Sequence, residues 1–91
     1  MRGMKITKHV LVHGRVQGVN FREATRLQAQ RCNVGGWVRN CDDGSVEAVL
    51  HGLPDDVARM LDWMHRGPPA ARVVRIEVDD GDGEFEDFER R

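Results

Sequence analysis

Residues Val12 to Arg22 read VHGRVQGVNFR, a glycine-flanked turn that leads into an aromatic and an arginine where a helix should begin. These types in this order suit an anion. Backbone N–H groups of a tight turn, the positive end of a helix dipole and a two-pronged guanidinium are three ways a chain grips a phosphate without a metal. Candidate cradle residues are Arg15, Val16, Gln17, Gly18, Val19 and Asn20, with Gly18 allowing both the turn and a close approach. An ordinary strand-to-helix connection with two glycines would look similar over this stretch alone. Arg22 adds weight, because an arginine in a first helical turn opposes the dipole and gains from an anion nearby. Further on, GGWVRNCDDGSVE carries Asn40, whose carboxamide can accept from a water and donate to a phosphoryl oxygen. With no useful pKa, Asn40 can position but not act as a base; a simple turn residue before Asp42, Asp43 and Gly44 is its other reading.

The elements that must hold these residues follow from periodicity. Ile6, Val10 and Val12 alternate with Thr7, His9, Leu11 and His13 as a strand that Gly14 is expected to break. From Phe21 a helical stretch carries Phe21, Ala24, Thr25, Ala29 and Cys32, and Asn33 and Gly35 close it. Gly36 to Cys41 reads as a second strand, and Asp43-Gly44 as the hairpin into a third from Ser45 to His51. Pro54, with Asp55 and Asp56, opens the clearest helix, which buries Val57, Met60, Leu61 and Met64. Gly67, Pro68 and Pro69 stop it, and Val74, Ile76 and Val78 alternate as a fourth strand. DDGDGE is a turn, after which Phe85 to Phe88 can add a short terminal strand.

This β-α-β-β-α-β order predicts an α+β, ferredoxin-like split βαβ domain over residues 1–91, with two helices on one face of an antiparallel sheet. The first two strands must then be parallel, with the third inserted between them. Their carboxyl ends fall about 10 Å apart on one sheet edge, which brings the loop, Arg22 and Asn40 around one small volume. Other candidates are weaker. Cys41 has no histidine neighbour in sequence to activate it, and His13, just before the loop, reads as a strand-end residue. His9, His13, His51 and His65 form no local ligand set, so no metal and no cofactor are expected.

The two segments resemble the acylphosphatase family through Gly14, Val16, Gln17, Gly18, Val19, Phe21 and Arg22, then Gly36, Trp37, Val38 and Asn40. The likeness continues through Asp43, Gly44 and Val46, Gly52, the GPPAARV stretch from Gly67 to Val73, and Phe88. It implies that Arg22 binds the substrate phosphate and Asn40 orients the attacking water. It also implies a hydrolase that cleaves acyl phosphates to carboxylate and inorganic phosphate. Departures are small: Cys41 stands where threonine is common, Asn33 and Gly35 flank Val34 where the family favours glycine and a bulkier residue, and tyrosine is missing.

Composition agrees with one small globular domain. The 91 residues, 40% hydrophobic, suffice for one core. A net charge of −1 provides no global field for nucleic acid or an anionic membrane, so any anion must be held locally. No apolar run is long enough to span a bilayer, and MRGMKITKHV lacks the apolar core of a secretory leader. Cys32 and Cys41 are expected to be free thiols roughly 20 Å apart along an extended strand. These features predict a cytoplasmic protein with no nucleic-acid or membrane partner; the family resemblance implies a small acyl phosphate as substrate, and a monomer is expected. Two alternatives are a non-catalytic anion- or RNA-binding module of the same fold and a carbamoyl-phosphate-handling domain of a larger protein. RNA binding would call for aromatics on the first strand, which has none; the absence of zinc-finger cysteines after Arg91 favours a free-standing enzyme.

Overall fold

The apolar alternation in the first segment becomes strand β1, Ile6–Arg15, whose Val10 and Val12 are fully buried while Leu11 and His13 turn to the opposite face. Helix α1, Phe21–Arg31, follows, then β2, Gly35–Asn40, and β3, Val46–Gly52. Helix α2, Pro54–Arg66, leads to β4, Arg72–Asp80, and β5, Phe88–Arg90. The computed structural model describes residues 3–91, so the first two residues of the MRGMKITKHV stretch, expected to lack a leader's apolar core, lie outside the described residues.

The sheet order is β4-β1-β3-β2-β5. β3 lies antiparallel between β1 and β2, so β1 and β2 run parallel and their carboxyl ends share one edge, as the crossover helix requires. The even-numbered residues of β3, Val46, Ala48 and Leu50, meet Val10, Val12 and Val38 beneath both helices. Phe21 and Ala29 from α1, with Val57, Met60 and Met64 from α2, complete this core. Burying a side chain the size of Leu50 or Met60 contributes roughly 1.5–3 kcal/mol, so this layer is what fixes the register. Gly36 is essential to that register: its φ is 132°, and a Cβ there would sit 1.8 Å from the carbonyl oxygen of Val49.

Three details depart from the expected pattern. Gly14 does not end β1, which continues to Arg15 through a bulge at His13/Gly14 that shifts its register against β4. The extra residue of this shift is Val74 on β4, because His13 faces Arg75 and Gly14 faces Val73. Val73 packs on the core while Val74 is 74% and Val78 40% exposed, so of the expected Val74, Ile76, Val78 alternation only Ile76 packs on the core. The terminal strand forms at Phe88–Arg90 rather than Phe85–Phe88, and it pairs parallel to β2, making the sheet mixed at that edge. Phe85 instead sets its ring edge against His51, on the face away from the helices. There Thr7 Oγ1 donates to the carbonyl of Gly83 at 2.8 Å and so accepts from His51 Nδ1, also 2.8 Å away.

Candidate active site

The turn between β1 and α1 is built from two buried anchors and two left-handed residues. Val16 and Val19 pack into the core, while Gly18 at φ 73° and Asn20 at φ 67° curl the chain. Such a curl gathers successive backbone N–H groups around a common concavity. At Gly18 the space that a Cβ would enter is open, so glycine is required there by the turn and not by crowding. Asn20 is the N-cap of α1 but makes no side-chain cap, so the first-turn N–H groups of the helix remain free of that partner.

Arg22 and Asn40 reach the same small cavity, of about 110 Å³, together with Gly18 and Asn20. This is small beside the roughly 300–1,000 Å³ of pockets for drug-sized ligands, and it suits a group of few heavy atoms. Two broader depressions, near Pro54 and near Glu86, gather no comparable set of donors. Arg22 comes from the second position of α1 and donates from Nη1 to the main-chain oxygen of Arg91 at 2.8 Å. Asn40 comes from the end of β2, and its Oδ1 is buried with no hydrogen-bond partner in the protein. A buried acceptor left in that state costs about 1–3 kcal/mol, a cost that a donor reaching it from the cavity would relieve.

Arg90, on the parallel edge strand β5, also lines the cavity, and sequence reasoning missed it. The signal was hidden in the charged run EFEDFERR, where no periodicity marks one arginine over another. Glu23 shares the first turn and would oppose an anion if it stood alone. Its carboxylate instead takes two bonds from Arg26, at 2.9 and 2.7 Å, and lies 3.6 Å from Arg90. The Arg26 hydrogen bonds hold its pKa below the ordinary glutamate value against a smaller opposing effect of burial, with the charges of Arg26 and Arg90 adding to the lowering. The cavity therefore keeps a net cationic lining.

Of the expected cradle residues, Gly18 and Asn20 line the cavity, as does Val16. Val19 serves as a core anchor. Arg15 ends β1 opposite Arg72 and is exposed. The Gln17 side chain is engaged elsewhere, donating to the carbonyls of Cys41 at 2.7 Å and Ser45 at 2.9 Å. His13 lies outside the cavity, with Nε2 2.6 Å from Glu77. Cys41 and Cys32 are both free thiols, and no group of three or more metal-ligating side chains occurs among the described residues.

The sequence model of the acylphosphatase family matches residues 8–90, nearly the whole chain. The chain belongs to the acylphosphatase family. An acylphosphatase of Thiobacillus denitrificans is 49% identical over 93% of this chain and 96% of its own length. An acylphosphatase structure from Coxiella burnetii superposes with a TM-score of 0.91 at 36% identity, over 96% of this chain and 93% of that one. The chain also resembles HypF from Thermococcus kodakarensis, with a TM-score of 0.83 and 32% identity; the match covers 97% of this chain but only 12% of that protein. The family's fold thus occurs both at this length and as a small part of a longer chain, and the loop and β2 that form the cavity fall within the matched acylphosphatase segment.

Proposed function

We propose that this protein hydrolyses acyl phosphates to a carboxylate and inorganic phosphate. The observation that carries the reading is the meeting of Arg22 with the partnerless buried Oδ1 of Asn40 in one small cationic cavity. In the reaction the phosphoryl group sits in the loop against the N–H groups of residues 16–20 and the start of α1, with Arg22 on its oxygens. Asn40 Oδ1 accepts a hydrogen bond from a water and turns its lone pair toward phosphorus. The water oxygen bonds to phosphorus as the bond to the acyl oxygen breaks, the electron pair leaves with the carboxylate, and a phosphate oxygen takes the proton. No strong base is needed, because the transition state is loose and carboxylate is a good leaving group. Arg90 offers a second positive charge for the oxygens of the bound phosphate.

A monomer is the proposed working unit: a single chain by itself brings the loop, Arg22, Asn40 and Arg90 together around the cavity. The free thiols Cys32 and Cys41 agree with a cytoplasmic setting, and no described helix is long and apolar enough to cross a membrane. The deciding experiment is steady-state release of phosphate from acetyl phosphate by the purified protein. Turnover above the spontaneous rate, lost in Arg22→Ala, is the expected result; a rate equal to buffer would reject the hydrolase. Running carbamoyl phosphate alongside tests the second reading, a carbamoyl-phosphate-handling domain of a larger protein; the likeness to part of HypF shows that the fold occurs within a longer chain. Turnover confined to carbamoyl phosphate would select it.

A further inference from the structure

We infer that Gln17 is a positioning residue that sets Asn40 against the phosphate cradle, an inference that rests on the hydrolase reading above. Gln17 belongs to the cradle loop by sequence, yet its side chain leaves that loop for the β2–β3 hairpin. Its Nε2 donates to the carbonyl of Cys41 at 2.7 Å and to that of Ser45 at 2.9 Å. Both amide hydrogens are thereby committed, so this side chain has no donor left for a phosphate. Cys41 directly follows Asn40, and the two carbonyls flank the peptide at which the hairpin closes.

The hairpin is already well defined in itself. Cys41 N donates to Ser45 O at 2.9 Å, and Gly44 N donates to Cys41 O at 3.2 Å. Asp43 Oδ1 accepts from Ser45 N at 2.9 Å and from Ser45 Oγ at 2.6 Å. Each of the two carbonyls therefore accepts one bond from within the hairpin and one from Gln17. The internal bonds give the turn its shape, and the two Gln17 bonds tie that shape to the loop. They span 24 and 28 residues of chain, joining the segment that carries the substrate to the segment that carries the water-orienting group.

A displacement of about 1 Å between reacting partners can cost on the order of a hundredfold in rate, so a tie of this kind matters to turnover. The chemistry selects a carboxamide. Glutamate of the same shape would face two carbonyl oxygens with an acceptor-only carboxylate, and methionine would offer no donor at all. The anion cradle is made of backbone N–H groups and Arg22, so freeing the hairpin disturbs the water and leaves phosphate binding intact.

The test is a double-mutant cycle between Gln17→Met and Asn40→Ala, read by kcat on acetyl phosphate and by the inhibition constant of inorganic phosphate, well below each variant's Tm. Gln17→Met is expected to lower kcat by about tenfold or more with the phosphate constant within about twofold of wild type. In the Asn40→Ala background the same substitution should change kcat by less than about twofold, because the group it positions is already gone. Gln17→Glu, which preserves the shape, should match Gln17→Met at neutral pH, and it supplies the measurement if the methionine variant does not fold. Unimpaired kcat, a parallel loss of phosphate binding, or a full multiplicative loss on top of Asn40→Ala would each overturn the clamp. An inert wild type would instead reject the hydrolase reading, so the two failures are distinct.

Discussion

The roles proposed for Arg22 and Asn40, gripping and aligning, should separate on single substitution. Asn40→Ala removes the acceptor for the water and should lower kcat by about two orders of magnitude, the scale of one lost positioned hydrogen bond, with the phosphate inhibition constant nearly unchanged. Equal turnover by the folded variant would refute the assignment. Arg22→Lys keeps a charge but not the planar fork, so most activity should disappear in the same assay, and Arg22→Ala should weaken phosphate inhibition as well. Melting curves must accompany each variant, since Asn40 also borders the hairpin. That both residues reach one cavity was legible in the sequence, because each sits at a fixed place in a dense local motif. Arg90 was not, because its place depends on a strand of three residues finding β2 across the fold. Gln17 was legible as part of the loop, but the direction of its side chain was not, since nothing local distinguishes a glutamine facing a ligand from one facing a hairpin.

At the level of elements, β1, β3 and β2 carry a polar layer on the face opposite the helices. Glu47 on β3 receives Arg39 Nε at 2.5 Å and lies 2.6 Å from His9 Nε2. These partners, the His9 hydrogen bond foremost, hold the Glu47 pKa below the ordinary glutamate value although burial works against them. A depressed carboxylate stabilises the fold above its unfolded-state pKa, and the contribution is lost as pH falls through the lower folded value. Glu47→Gln should therefore destabilise at neutral pH by on the order of 1 kcal/mol, with the gap to wild type closing in acid. Urea denaturation at a series of pH values measures this, and a gap that persists at low pH would contradict it. The strands themselves were readable by alternation, and α2 by its buried stripe. The irregularities escaped for a physical reason: the bulge at His13/Gly14 is a property of a pair of strands, and neither sequence alone encodes which valine of Val73 and Val74 will face the core.

For the molecule as a whole, a net charge of −1 coexists with a cationic cavity, so anion binding is local and should weaken as salt rises. Inorganic phosphate is expected to inhibit competitively, and activity should survive prolonged treatment with a chelator, because the chain supplies its positive charge from Arg22, Arg90 and a helix start. A requirement for added magnesium would refute this. The overall topology was accessible from the order of elements, since a crossover helix leaves few ways to arrange four strands. The parallel fifth strand lay beyond that rule, being too short to announce its partner.

The left-handed Asn20 leaves α1 without a side-chain cap, and with an anion bound as proposed, occupancy of the site and folding become linked. An anion seated there supplies the acceptors that the helix start lacks, so it is a folding ligand as well as a product. Binding only the native state, phosphate at about a hundred times its dissociation constant adds roughly 2.7 kcal/mol to stability. Tm should climb with the logarithm of phosphate concentration, and the amide protons of the first α1 turn should exchange more slowly. A Tm indifferent to phosphate would show that the cap and the cradle are separate.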